Sequence, residues 1–248
     1  MVEWSQREWG RAMQDAVRDA ITDCVMGRVS GGWQENTITH KVLQALGTSE
    51  EVQWKERPFR CAWKAFKASG RFETANGDIA IKVTLRAAQG GTVVGTKYFE
   101  AKKLVLETGR YDAIDPAQLA RMRHIPGHEV LLYALRRNQS KSTIVGDALC
   151  LPTPIAAMLH GAGARILHPA AHHFIEVFAQ ALLGRGLNFD PRQATAFDKP
   201  FESLEATPSF LLEASAAPVE LDLEPVQAPR GYEELDDRGQ EIADDFTP

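Results

Sequence analysis

The stretch YFEAKKL, residues 98–104, decides how this chain is read. Tyr98, Phe99 and Leu104 suit a pleated, half-buried surface, so the segment is expected to be a β-strand. Glu100 and Lys102 stand two residues apart, which puts an acid and a base on one face of that strand. On a solvated strand such a pair serves solubility alone. On a partly buried one it calls for a further partner.

Upstream, GDIAIKVTL (77–85) alternates cleanly, and AAQGG (87–91) is a turn. TVVGTKYFEAKKLVL (92–106) is then the return strand of a hairpin. A turn centred near Gln89 or Gly90 pairs residues whose numbers sum to about 178 or 180. Asp78 then lies opposite Glu100 or Lys102 on the same face. A one-residue slip would send Asp78 to the other face, and the mixed alternation of the return strand leaves that open.

Two carboxylates held close repel each other, and one normally picks up a proton. A divalent cation removes the conflict, because Mg²⁺ takes hard oxygen ligands from one or two carboxylates, waters and a substrate phosphate. Such an ion polarises a phosphodiester and acidifies an attacking water. A neighbouring lysine can orient that water or offset charge developing on the phosphate.

GD at 77–78 followed by EAK at 100–102 resembles the motif of the PD-(D/E)xK nuclease superfamily, whose fold is that of restriction endonucleases. The resemblance implies an α/β fold with a restriction-endonuclease-like core of helix, three-stranded antiparallel meander, helix and strand, read here over residues 35–136. It further implies Mg²⁺- or Mn²⁺-dependent hydrolysis of DNA phosphodiesters, with Asp78 and Glu100 as metal ligands and Lys102 as catalytic helper. Roles in phage defence, restriction or repair are typical of such families. Many members carry a glutamate on the helix before the meander, and Glu35 matches it as a third metal ligand and catalytic residue. Glu35 precedes Ile38, Val42, Ala45 and Leu46 at helical spacing, so its phase points inward; a first-turn glutamate favoured by the helix dipole reads the same way. Glu73, in GRFETANGD, precedes the Asp as acids do in some members. Gly77 replaces the motif's proline. Gln118 matches a Gln-x-x-x-Tyr element of one subgroup, but the tyrosine is missing. The alternative function is a non-catalytic nucleic-acid-binding or accessory subunit of the same fold.

Around this centre, residues 3–27 form an amphipathic helix, 34–46 a shorter helix, 116–123 a helix opened by Pro116, 128–135 and 141–151 two strands, and 152–163 and 169–184 two helices. FRCAWKAFKASG (59–70) is ambiguous between strand and helix. The nuclease-like domain is expected to span 1–206, with a core of about 33–150 and helical additions at both ends. Residues 207–248, rich in Pro, Ala, Asp and Glu, read as an acidic, disordered or loosely held tail, a solvated linker first, with a self-inhibitory DNA mimic or a docking segment for a partner protein as alternatives. From Glu213 onward there are eleven Asp or Glu against Arg230 and Arg238, so the net charge of −5 conceals 26 Lys or Arg against 22 Asp or Glu in 1–212. A mildly basic body permits a polyanionic partner, DNA first. Lys97, Lys103, Arg121, Arg123, Arg136 and Arg137 flank the site in sequence as phosphate contacts. Lys64 and Lys67 beside Trp63 and Phe66 read either as a nucleic-acid patch or as aromatics facing the core. His168 and His172 have metal-pair spacing without a third ligand. No apolar run reaches a membrane span and the N-terminus lacks a signal peptide's apolar centre. Three scattered cysteines suit a reducing cytoplasm. Homodimerisation is a further expectation of the resemblance.

Overall fold

The hairpin forms with the shorter of the two expected offsets. In the computed structural model, which describes residues 2–47, 51–69, 77–112, 115–138, 143–158, 167–196 and 208–235, β4 (Ile79–Arg86) runs antiparallel to β5 (Thr92–Val105). Ile79 pairs with Phe99 and Arg86 with Thr92, so partner numbers sum to 178 throughout. One step beyond the ladder, Asp78 faces Glu100. The ambiguous segment is also a strand, β3 (Phe59–Ala68).

The neighbours of this hairpin correct the expected meander. β3 does not pair with β4. Between them lies β10 (Phe210–Pro218), antiparallel to β3 and parallel to β4. This also corrects the disordered tail: residues 210–218 belong to the middle of the sheet, while 236–248 and Glu73 lie outside the described residues. FLLEASAAP is an almost unbroken run of apolar and small residues, as expected of a strand covered on both faces. Its one charge, Glu213, pairs with Lys82 of β4 at 3.2 Å. The acidic composition downstream hid this segment from an averaged reading.

Beyond β5, the helix α3 (Pro116–Met122) crosses over to β7 (Glu129–Asn138), which lies parallel to β5 with Glu100 beside Val130. The antiparallel β8 (Thr143–Pro152) follows. With β1 (Val2–Trp4), β2 (Val52–Trp54), β6 (Arg110–Tyr111), β9 (His172–His173) and β11 (Tyr232–Glu234), these form a mixed sheet of eleven strands among the described residues. The chain is thus mixed α/β.

Three helices cover one face: α1 (Gln6–Val25), α2 (Glu35–Ala45) and, after the short α4 (Thr153–Met158), α5 (Phe174–Leu182). α1 starts at a capping box, with Ser5 Oγ accepting from Glu8 N and Glu8 Oε2 accepting from Ser5 N, both at 3.1 Å. Its apolar stripe carries Trp9, Val17, Ile21 and Cys24 into the core. Trp9 meets Trp54 and Trp63 edge to face at 5.1 and 5.7 Å. α3 and α4 cover β7 and β8 on the opposite face, over Val130, Leu132, Leu149 and Leu151. A last short helix, α6 (Pro191–Ala196), packs on β5. Among the described residues no helix is long and apolar enough to cross a membrane.

Candidate functional site

Four separated residues meet where β4 begins, β5 passes and α2 starts. The Asp78 carboxyl accepts a hydrogen bond from Ala101 N at 2.9 Å, which fixes it against the middle of the β5 motif. Lys102 Nζ lies 2.7 Å from Glu100 Oε1 and 3.7 Å from Glu35 Oε1. Glu100 is only 3% exposed, and the Lys102 side chain 12%. The acid–base pair is therefore a buried one.

Each neighbour is held by identifiable backbone chemistry. Trp33 Nε1 donates to Leu104 O at 2.7 Å, tying the segment before α2 to the far end of the motif. Thr39 Oγ1 donates to Glu35 O at 2.9 Å and meets the buried Tyr133 hydroxyl at 2.7 Å, which joins the first turn of α2 to β7. Glu35 so reaches Lys102 from the neighbouring layer. On the α3 side, Asp115 caps the helix by accepting from Ala117 N at 2.6 Å, and Gln118 comes up against Glu100.

Gly77 explains the missing proline. Its φ is +122°, and a Cβ there would stand 2.6 Å from Phe99 O. Proline, locked near −65°, cannot take that conformation. The close approach of Gly77 to Phe99 is what delivers Asp78 to Ala101. His128 flanks the same turn: its Nε2 lies 3.2 Å from that hypothetical Cβ, and its Nδ1 meets Thr153 Oγ1 at 2.7 Å. Gly77→Ala is expected to cost about 1–3 kcal/mol from backbone strain and the Phe99 clash. Gly109→Ala, also at positive φ but in open space, should cost less. Denaturant unfolding of the two variants checks the order.

The electrostatics are those of carboxylates short of positive charge. Burial, with Asp78 beside it, pushes the Glu100 carboxyl up to about 7, against the pull of Lys102 and Gln118. Burial also pushes Glu35 up to about 7, opposed by Lys102 and reinforced by Asp78 and Glu100. Asp78 is raised by burial as well, although Lys102 and the Ala101 N–H oppose it. Burial alone would lower the Lys102 ammonium, but Glu100, Glu35 and Asp78 outweigh it and hold it charged. Glu100 Oε2 is buried with no hydrogen-bond partner. One lysine serves three acids.

A carboxyl raised above its unfolded value of 4.5 favours the folded state when protonated, so stability is present at low pH and lost as pH rises from about 4.5 through about 7. Asp78→Asn removes one of the crowded charges. It is expected to raise the melting temperature of the metal-free protein at pH 8 and to flatten this pH dependence. Unchanged melting at pH 8 would remove the charge-crowding account.

Other expected contacts divide. Lys97 is not a phosphate contact: its ammonium is buried against Glu129 at 2.8 Å and Gly127 O at 2.9 Å, because the strand turns it inward between two loops. Lys103 pairs with Asp112 at 3.7 Å and Arg136 with Asp147 at 3.4 Å. Arg121 and Arg123 are exposed on and beside α3. Trp63 and Phe66 face the core and Lys64 pairs with Glu234 at 2.8 Å, so the aromatic patch is structural. The histidines do not lie on one helix: His168 bonds Tyr111 and His173 bonds Asp147. The sequence reading passed over His128, Thr39 and Tyr133. The visible signal was a histidine and a tyrosine set into the apolar run HEVLLY.

Comparison with family models, curated proteins and solved structures found no match. Among the described residues no group of three or more His, Cys, Asp or Glu is assembled to hold a metal. That leaves the Asp78–Glu100 pair as the donor set to weigh, and Mg²⁺ needs no more than one or two carboxylates from protein.

Proposed function

We propose that the chain is a Mg²⁺-dependent nuclease that hydrolyses phosphodiester bonds of DNA, with a restriction-endonuclease-like core built on β4, β5, α3 and β7. The observation that carries this reading is the buried meeting of Asp78, Glu100, Lys102 and Glu35 with three acids to one base. The donor chemistry fits a hard cation: the unsatisfied Glu100 Oε2 and the raised carboxyls are what such an ion would relieve. Asp78 and Glu100 would hold it, with Glu35 at the margin. When bound, it would supply Lewis-acid polarisation of the phosphodiester and a more acidic water.

The residues of the chain do the rest. Asp78 is kept in place by Ala101 N, so it need not reorganise when substrate arrives. Lys102, held charged by its carboxylates, is the hydrogen-bond donor and positive charge available to a phosphate oxygen or to the oxygen of an attacking water. Glu35 orients the ammonium from the α2 side. Arg121 and Arg123, exposed near Gln118, are the cations available to the DNA backbone.

The ion pairs that already hold Lys102 against Glu100 and Glu35 favour a second reading, a non-catalytic nucleic-acid-binding or accessory subunit with the same core. Calorimetric titration with Mg²⁺ and Mn²⁺ at pH 8 separates the two. The nuclease reading expects a binding isotherm at pH 8, weakened at pH 5.5 where protons occupy Glu35 and Glu100, and lost in Asp78→Asn. A wild-type protein that takes up neither ion at pH 8 favours the accessory subunit.

A further inference from the structure

The outer face of α1 carries polar chemistry that the Asp78 cluster does not use. A groove of about 560 Å³ runs between α1 and α5, and none of the four site residues lines it. Arg7, Arg11, Gln14 and Arg18 recur at i, i+4, i+7 and i+11, which places them in one stripe along it. Across the groove stand His173, Ile175 and Ala179.

Beneath the stripe is a buried anchor. Asp147, 2% exposed, accepts from Gln14 Nε2 at 2.6 Å and pairs with His173 Nδ1 at 3.2 Å. Arg18 lies 3.8 Å and Arg136 3.4 Å from its other oxygen. Burial alone would raise this carboxyl, but the His173 hydrogen bond and the arginine charges outweigh it and keep it ionised. Asp147 thereby fixes two groove-lining groups from below, Gln14 and His173, with Arg18 at ion-pair distance.

The donors remain largely unspent. Arg18 stands 3.6 Å from Asp15 and 3.8 Å from Asp147, beyond normal hydrogen-bond length. Arg7 and Arg11 are exposed and have no ion-pair partner among the described residues. Nδ1 of His173 is engaged with Asp147, so in the neutral ring Nε2 is an acceptor and not a further donor. Asp15, Glu56 and Glu176 also line the groove and balance the three arginines in formal charge. Anions are therefore not gathered by bulk potential; a ligand has to be gripped by directed hydrogen bonds, as a guanidinium grips phosphate. Ile175 and Ala179, 2% and 5% exposed, floor the groove beside the bare Gly10, which has no atom within 4 Å of where its Cβ would be. The volume falls in the range of small-molecule sites, about 300–1,000 Å³.

We propose that this groove binds a nucleotide phosphate, free or at the end of a strand, with the phosphate on the arginines of α1 beside His173 and the base over the floor formed by Gly10, Ile175 and Ala179. The inference stands apart from the Asp78 reading. Calorimetry with AMP tests it, alongside inorganic phosphate and a 5′-phosphorylated oligonucleotide. AMP is expected to bind with Kd below about 1 mM. Arg7→Gln/Arg11→Gln, remote from the core, should weaken it at least about tenfold with an unchanged melting temperature, as loss of charged hydrogen bonds does. His173→Gln should also weaken it, and Asp78→Asn should bind AMP like the parent. Tighter binding of the oligonucleotide assigns the phosphate to a strand end; tighter binding of AMP assigns it to a free nucleotide. No heat from any of the three probes up to about 10 mM, or equal affinity in the arginine and histidine variants, overturns the proposal.

Discussion

Asp78→Asn, Glu100→Gln and Lys102→Gln are each expected to lower the rate of Mg²⁺-dependent cleavage of supercoiled plasmid by about a hundred- to a thousandfold or more. The magnitude is that of removing one preorganised group from a charge-stabilising site, about 2.7–4 kcal/mol in the barrier. Near-isosteric replacements are needed here because the site is buried. Loss of the Lys102 ammonium, to glutamine as to alanine, leaves Glu100 and Glu35 without their shared cation, and breaking a buried pair costs about 3–5 kcal/mol. Loss of activity would then be confounded with loss of fold. Asp78→Asn has the opposite stability effect, since it relieves crowding, so a protein that melts higher and cuts less separates chemistry from folding. If all three variants nick plasmid like the parent, these residues are a structural ion cluster and the nuclease reading falls.

Much of this cluster was legible before any coordinates. The turn residues Gln89 and Gly90 set the register to within one alternative, and the structure took the offset of 178. Glu35 was legible through helical phase, because the apolar residues that follow it define which side of α2 is buried. Gly77 departs from the motif's proline, and its positive φ and close approach to Phe99 show why proline cannot stand there. Local pattern carries local geometry; it does not carry what packs against it.

The rest was hidden by non-local pairing. No periodicity in 59–86 could reveal that a strand some 130 residues later separates β3 from β4. The groove on α1 was hidden differently, since arginines at helical spacing read as a solvated face. Asp147 was the available clue, an acid inside the apolar strand IVGDALC, because a buried carboxylate needs partners brought by the fold.

A chain ending at residue 207 is expected not to fold at all. β10 is hydrogen-bonded to β3 along one edge, from Phe210 opposite Lys67 to Pro218 opposite Phe59, and to β4 along the other. Its removal leaves two sheet fragments with unpaired inner edges, exposed along nine and seven residue pairs respectively. It also uncovers Leu212, Ala214 and Ala216 positions of the main core. Leu212→Asp tests the same claim without shortening the chain: an unpaired charge in a fully buried position belongs to the class of substitutions costing more than about 4 kcal/mol. Glu220→Ala, exposed just past the strand, should stay within about 0.5 kcal/mol of the parent. Circular dichroism and size-exclusion chromatography read all three, and a truncated chain that remains monomeric with a cooperative melt would show β10 to be dispensable. The consequence reaches the candidate site, because Phe210 N donates to Asp78 O at 3.0 Å. The strand that closes the sheet also holds the backbone of the aspartate in place, so damage to β10 should abolish metal uptake as well as stability.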